Sequence, residues 1–302
     1  MNRRFPLLTF TGLLLFAMAC DGPTVPGPGR LTSIVHVSAG LAHTCALKTG
    51  GTVVCWGDNG SGETSVPGGL DSVTQMDAGR ARTCALKRNG TVVCWGSTGG
   101  GTAVPLDLGS VSQVSAGGFH ICALKTDGTV VCWGSNTAGQ LAVPDGGASV
   151  VQVTAGYGHT CALRTDRTVV CWGADNHGQA TVPGGLGSVA QISAGFYHNC
   201  ALRTDGTVVC WGFNISGQVG VPAGLASVAQ VSAGYGHSCA IKADRTVACW
   251  GFDIDRQATA PAGLASVAHI SAGFYHSCAV KTDETVVCWG SNAYGQTAVP
   301  AA

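Results

Sequence analysis

The stretch Val114–Gly134, VSAGGFHICALKTDGTVVCWG, carries a short hairpin in which His120 to Lys125 and Thr129 to Gly134 flank Thr126-Asp127-Gly128. Two registers are open to it. A two-residue turn centred on Asp127-Gly128 puts Cys122 opposite Trp133, whereas a three-residue type I turn with Gly128 in the left-handed bulge position pairs Lys125 with Thr129. The second register sets Cys122 directly opposite Cys132, at the roughly 4.5 to 5.5 Å Cα spacing that a disulfide spans. It also aligns Cys122, Leu124, Val130 and Cys132 on one face, and Ile121, Ala123, Val131 and Trp133 on the other. Both faces are apolar, so each hairpin needs cover on both sides.

The same pair of cysteines, ten residues apart, recurs about every 39 residues: Cys45 with Cys55, Cys84 with Cys94, Cys122 with Cys132, Cys161 with Cys171, Cys200 with Cys210, Cys239 with Cys249 and Cys278 with Cys288. A fixed period of this length marks a solenoid or a propeller. Small sheets repeated radially cover one another's two faces, which is the β-propeller. The expected fold is therefore all-β: a seven-bladed propeller over residues 31–302, with seven cross-strand disulfides formed in an oxidising compartment. A linear solenoid is the alternative; it needs polar end caps, and the first and last repeats resemble the others.

Trp56, Trp95, Trp133, Trp172, Trp211, Trp250 and Trp289 stand one per repeat and read as inter-blade packing. His43, His120, His159, His198, His237 and His276 share one repeat position, with Arg82 taking it in the second repeat. Spread around a ring, they do not converge on one ion, so they read as hydrogen-bonding residues at blade ends. Neither a metal nor a cofactor is expected.

At the amino terminus, Arg3 and Arg4 precede an apolar run from Phe5 to Met18 and then Ala17-Met18-Ala19-Cys20. This has the form of an export signal over residues 1–19. A cysteine after small residues resembles the lipobox of bacterial lipoproteins, with Ala17 where that family prefers Leu; Cys20 would then be acylated. The other reading is an ordinary signal peptide with a leftover cysteine. Residues 20–30 form a Pro- and Gly-rich tether. The expected location is the bacterial envelope, with the membrane reached only through the lipid. Lys and Arg number 16 against 16 Asp and Glu, without a basic cluster, which argues against nucleic acid as a partner.

The repeat AGxxHxCALxxDGTVVCWGxNxxGQxxVP resembles the regulator of chromosome condensation repeat. Its spacing with GQTAVP is similar to the bacterial beta-lactamase inhibitor protein II branch of that superfamily. The resemblance implies a seven-bladed propeller whose loops make contacts with proteins, while the paired cysteines depart from both relatives and suggest an exported branch. Exchange factors, photoreceptors and inhibitors share the superfamily, so it does not name the target.

In a four-stranded A-B-C-D blade, A–B and C–D loops emerge at one end and B–C turns at the other. The B–C turns are monotonous, and Asp127, Asp166, Asp205, Asp244 and Asp283 are explained by turn chemistry. The A–B loops hold Phe119, Tyr157, Phe196, Tyr197, Tyr235, Phe274 and Tyr275, and the C–D loops hold Phe213, Phe252 and Tyr294. Aromatic anchors are enriched at interaction hot spots, so these ten form the candidate binding set; the competing reading is that they lid the blade ends. Asp58, Asp175, Asp253 and Asp255 lie on the same face, and Asp253-Ile254-Asp255 reads as solvated loop charge in preference to a cation site. No HExxH, GxSxG or phosphate loop is present, so no catalytic residue is named. The expected function is a non-enzymatic, lipid-anchored propeller that binds a protein partner, inhibition of an envelope enzyme being one form of this. A carbohydrate-binding propeller is the alternative, and a catalytic propeller is the weakest reading.

Overall fold

The computed structural model describes residues 31–97, 101, 103–144 and 149–301. The expected signal segment, Cys20 and the tether lie outside the described residues. The hairpin adopts the bulged register in every repeat. In the third, the Lys125 N–H donates to the Thr129 carbonyl at 2.8 Å and the Gly128 N–H to the Lys125 carbonyl at 3.0 Å. Gly128 sits at φ 81°, in the left-handed region where a residue without Cβ is least strained.

Cys122 then faces Cys132, and the same opposition recurs in all seven blades. Cys45 is bonded to Cys55, Cys84 to Cys94, Cys122 to Cys132 and Cys161 to Cys171, each across one hairpin. Cys200 is bonded to Cys210, Cys239 to Cys249 and Cys278 to Cys288 in the same way. The Cα atoms of the pairs lie 4.0 to 4.1 Å apart, closer than the directly opposed spacing expected from sequence. The two members of a pair are not equally covered. Those on the middle strand, such as Cys45 and Cys161, are fully buried, whereas Cys55, Cys94, Cys132, Cys171, Cys210, Cys249 and Cys288 on the outer strand are half-buried. The bridge therefore ties the partly exposed outer strand to the enclosed middle one.

Each hairpin is joined by the strand before it. In the third blade the inner strand Val111–Ala116 pairs with the middle strand His120–Lys125, which pairs with the outer strand Val130–Gly134. The described residues form seven such antiparallel sheets, each of three strands. This corrects the four-stranded blade expected from sequence. The stretch that should supply the fourth strand makes short local bonds instead, such as the Val143 N–H to the Leu141 carbonyl, and the following Pro144 has no N–H for a ladder. Val143 still packs into the neighbouring blade's core, so the segment keeps its burial without sheet pairing.

The two apolar faces meet as the hairpin pattern requires. Between the second and third blades, Cys84 and Leu86 with Val92 and Cys94 pack against Ile121, Ala123 and Trp133. The ring closes by the same packing: Leu31, Ile34, Val37, Ala46 and Trp56 meet Cys278, Val280 and Val286, with Cys288 packed alongside. Among the described residues no strand is exchanged, since every sheet uses three consecutive strands. Instead, the loop after the seventh blade reaches the first, where the Gln296 carbonyl accepts from the Trp56 indole and the Thr44 hydroxyl, both at 2.9 Å. Trp95, Trp172, Trp211, Trp250 and Trp289 repeat this bond to the loop of the blade before them. The Trp133 indole N–H has no such partner among the described residues.

The repeat histidines are fully buried, and each Nε2 meets a polar side chain near the start of the next blade's middle strand. His43 pairs with Thr83, His120 with Thr160, His159 with Asn199, His198 with Ser238, His237 with Ser277, and His276 closes the ring on Thr44. Arg82 replaces histidine in the one blade whose neighbour offers the apolar Ile121 at that place. Burial lowers the six imidazoles to about 3 to 4, so they are neutral at physiological pH.

Candidate functional site

The inner strands end in Ala-Gly and open into the A–B loops around the axis. Successive loops are tied by backbone bonds, including Leu41 N–H to Gly79, Phe196 N–H to Gly234 and, across the seam, Phe274 N–H to Gly40, at 3.0 to 3.2 Å. Glycine is needed for this approach: a Cβ on Gly40 would lie 2.6 Å from the Gly79 carbonyl oxygen. The result is a collar that fixes where the next two side chains of each loop point.

The residues directly after glycine face the axis. Tyr157 stacks on Phe196 with ring centres 3.7 Å apart, Phe196 meets Tyr235 at 4.6 Å, and Phe196 reaches Phe274 at 5.2 Å. Phe196 and Phe274 line the mouth of the axial channel. The second residues lie further out. Tyr197 contacts His177 at 5.1 Å and Phe213 at 6.1 Å, and Tyr275 contacts Tyr235 at 5.3 Å and Phe252 at 6.5 Å. In both AGFYH loops, therefore, Phe packs toward the axis and Tyr toward the C–D loops, an ordering that the sequence does not reveal. Phe119 rests against Tyr157 at 4.6 Å, with the Arg80 guanidinium 5.2 Å from its ring centre. Burial raises the Tyr197 and Tyr275 hydroxyls above the usual tyrosine value.

The network thus joins every candidate aromatic except Tyr294, which is 60% exposed and stands apart. The others are half-buried. The first two blades present Leu41-Ala42 and Arg80-Ala81, so the aromatic surface is an arc over blades three to seven.

The carboxylates on this face are mostly occupied. Asp175 accepts from the Ala180 N–H at 2.7 Å and the Thr181 hydroxyl at 2.6 Å, and Asp253 does the same with Ala258 and Thr259. They do what asparagine does in other blades, as where Asn136 accepts from Leu141 and Asn214 from Val219. Asp58 accepts from the Gly60 N–H in its own loop. At the opposite end, each turn aspartate accepts from the backbone and hydroxyl of the threonine two residues on, as Asp127 does from Thr129. Among the described residues, no three His, Cys, Asp or Glu side chains form a metal-binding group.

Beneath the collar lie two polar layers that sequence reasoning missed. In the first, Ser38, Ser115, Thr154, Ser193, Ser232 and Ser271 each accept from the next blade's alanine N–H. Asp77 takes that role in the second blade and also accepts from Ser38 and Ser115; enclosure in the channel pushes its carboxyl up to about 6 against the effect of these bonds. In the second layer, the carboxamides of Gln75, Gln113, Gln152, Gln191 and Gln230 behave like peptide groups. Each donates to and accepts from one backbone residue of the next blade, as Gln75 does with Val114 at 2.8 Å. The available signal was a glutamine at one fixed place in five inner strands.

Comparison with known proteins agrees with this geometry. The Regulator of chromosome condensation (RCC1) repeat matches residues 34–63, 73–101, 111–140, 150–179, 189–218, 228–255 and 267–296, one match per blade. No curated protein matches by sequence. Among solved structures, the entire ectodomain of the Physcomitrella patens receptor kinase CR4 is similar with a TM-score of 0.73 and 26% identity, over 86% of this chain and 75% of that one. The CRINKLY WD40 ectodomain of the Arabidopsis thaliana receptor kinase ACR4 gives 0.71 and 28%, over 86% and 98%. Prp20p from Saccharomyces cerevisiae shares the fold at 0.70 and 20% identity, over 80% of each chain. With a matched repeat in every blade, the chain belongs to the regulator of chromosome condensation (RCC1) repeat family.

Proposed function

We propose that this is a non-enzymatic binding propeller that recognises a protein partner through its aromatic face. The observation that carries the reading is the connected ring network from Phe119 to Tyr275, held half-buried on a rigid collar while the opposite face carries uniform turns. Rings already ordered before contact lose little conformational freedom on binding, which favours affinity. The fold is known to bind proteins elsewhere: Prp20p is described with its binding to Gsp1p and histones, and in complex with Kap60. Inhibition of an envelope enzyme is one form such binding takes.

The seven disulfides fit a chain matured in an oxidising compartment. We read it as exported and anchored to the bacterial envelope by a lipid on Cys20. The chain enters the first blade at the turn end, where the Ser33 carbonyl accepts from Thr49 and the Ile34 N–H donates to Glu284. A lipid anchor would then hold the turn face toward the membrane and leave the aromatic face open to the aqueous side.

A carbohydrate-binding propeller calls for several similar shallow sites between blades, whereas one connected network favours a single composite surface. The two readings separate when the purified propeller is used as bait on envelope extract and, in parallel, probed on a glycan array. Saturable retention of a protein, without glycan binding, supports the proposal. Saturable glycan binding with no retained protein overturns it.

A further inference from the structure

At the fifth place of the inner strand, where the other blades carry a serine or threonine, the second blade carries Asp77, which lines the axial channel. A hydroxyl satisfies the neighbouring alanine N–H equally well, as Ser38 and Ser115 show, so the charge is surplus to that bond. Enclosing it works against stability. The donors that hold it are the Ser38 hydroxyl at 3.2 Å, the Ser115 hydroxyl at 3.0 Å and the Ala116 N–H at 2.8 Å, all of them neutral. Around this carboxylate the channel has the lining that a small organic cation needs. The cavity beneath the collar has a volume of about 140 Å³. Thr154, Ser193, Ser232 and Ser271 each accept one backbone N–H, and a hydroxyl oxygen has a second lone pair to offer. Phe196 and Phe274 frame the mouth, and the faces of such rings attract a cation. Arg80, the other charged residue of the lining, is exposed at the rim with its guanidinium 5.2 Å from the Phe119 ring centre, where solvent screens it.

We propose that the axial channel takes a primary alkylammonium group seated on Asp77, presented by the lysine side chain of a bound protein or by a free linear amine. The lysine form rests on the protein-binding reading above, and the free-amine form does not. Both Asp77 oxygens already accept a serine hydroxyl, which obstructs the parallel two-bond pairing that a guanidinium prefers and still suits a compact ammonium. One of its three donors meets Asp77, and the other two meet hydroxyl oxygens of the same layer. The depth fits as well. Asp77 stands two residues before Gly79 of the collar, about 6 to 7 Å along the strand, close to the reach of a four-carbon stem. Enclosure raises its carboxyl to about 6, so it is largely ionised at neutral pH, and an ammonium beside it favours that form further. His36 and His269, one layer deeper, are kept neutral by burial and do not repel the cation.

The purified protein is titrated by calorimetry at low ionic strength with pentylamine and with pentanol, its neutral counterpart, beside Asp77→Ser, Asp77→Asn and Asp255→Ala. Circular dichroism and disulfide mapping confirm that the variants are folded. The expected result is one pentylamine bound per chain, with affinity at least about tenfold weaker in both Asp77 variants and for pentanol. Asp255→Ala, which removes an exposed carboxylate on the aromatic face, should bind as the wild type does. Binding should strengthen from about pH 5 to pH 7 as Asp77 ionises and then level off, because the amine stays charged throughout. Absence of pentylamine binding, equal binding of pentanol, or undiminished binding in the Asp77 variants overturns the site, and none of these results touches the reading of the aromatic face. Where pentylamine binds as expected, the captured partner assigns the source. Affinity for it about tenfold weaker in Asp77→Ser marks a lysine in the channel, and unchanged affinity marks a free amine.

Discussion

The two ends of each blade solve different problems. At the turn end, Asp127 and its counterparts brace a three-residue turn through a threonine, and Gly51, Gly90, Gly128 and Gly206 sit at φ 79° to 82°. At the loop end, the collar backbone is equally regular, yet its side chains run from Leu41 and Arg80 through Tyr157 to Phe274. The difference teaches where selection for fold stops. Residues that shape backbone repeat from blade to blade, while residues that face outward from a fixed backbone are free to differ and so to specify a partner.

The largest expected effect separates the two ends by pH. The repeat histidines have folded values of about 3 to 4 against 6.5 in the unfolded chain, so below pH 6.5 the unfolded state takes up protons that the folded state refuses. Their stability is complete above pH 6.5. It falls by about 1.4 kcal/mol per pH unit for each histidine as pH drops toward the folded value. The turn aspartates are held below the ordinary carboxylate value, chiefly by threonine, so their contribution persists until pH falls below 3.8. Acidification from pH 7 to 5 should lower the thermal midpoint and loosen the loop end first. Hydrogen exchange, corrected for intrinsic rates, checks this at Gly40, Gly117 and Gly156 against Gly128 and Arg167. Earlier loss of protection at the turns would break the comparison.

Next in size is the staple between the ends. Cys122→Ala with Cys132→Ala reopens a loop of roughly ten residues, worth about 2 to 3 kcal/mol in the chain-entropy account. Denaturant unfolding should show that loss, and non-reducing mass spectrometry of the wild type should find each domain cysteine linked within its own repeat. A smaller effect sits in the channel. Asp77 has its folded value raised to about 6 from 3.8, so the folded state disfavours its charge above pH 6. Asp77→Ser, which installs the commonest residue of that layer, should be stabilising at pH 8, with an advantage that shrinks as pH falls through 6. Denaturation of both proteins at pH 8 and pH 5 measures it, and a gain that grows on acidification would contradict it.

The smallest effect belongs to the turn face. Arg167, Arg245 and Glu284 occupy the bulge position at φ 70°, 66° and 62°. A side chain there costs about 1 kcal/mol relative to glycine, partly offset by glycine's freedom in the unfolded chain. Arg167→Gly should therefore be neutral or stabilising by up to that amount, and a clear drop in thermal midpoint would mean that the arginine makes a compensating contact.

Much of this was readable in the residues. Cysteines ten apart fixed the register, because only the bulged turn sets Cys122 against Cys132, and apolar residues on both hairpin faces called for cover on both sides, which a ring supplies. The fourth strand was not readable, because Val143 has the burial of a strand residue while Pro144 denies it the ladder. Nor was the glutamine belt: a carboxamide that imitates a peptide bond is recognised only when the neighbouring blade's backbone is in place. The inward and outward roles of Phe196 and Tyr197 depend on contacts with neighbouring blades, such as Phe196 with Tyr157 and Tyr197 with Phe213, which no local spacing encodes.

On this reading the aromatic end of the propeller is its working end. Its most direct test is the affinity of folded Tyr197→Ala and Tyr275→Ala for the captured partner, set beside Thr126→Ala and Thr204→Ala on the turn face. A hot-spot aromatic costs about 2 kcal/mol on truncation, about thirtyfold in Kd. That loss is expected in both tyrosine variants, with wild-type affinity in both threonine variants. Full affinity in the tyrosine variants, with loss in the threonine variants, would contradict it and move the site to the turn face.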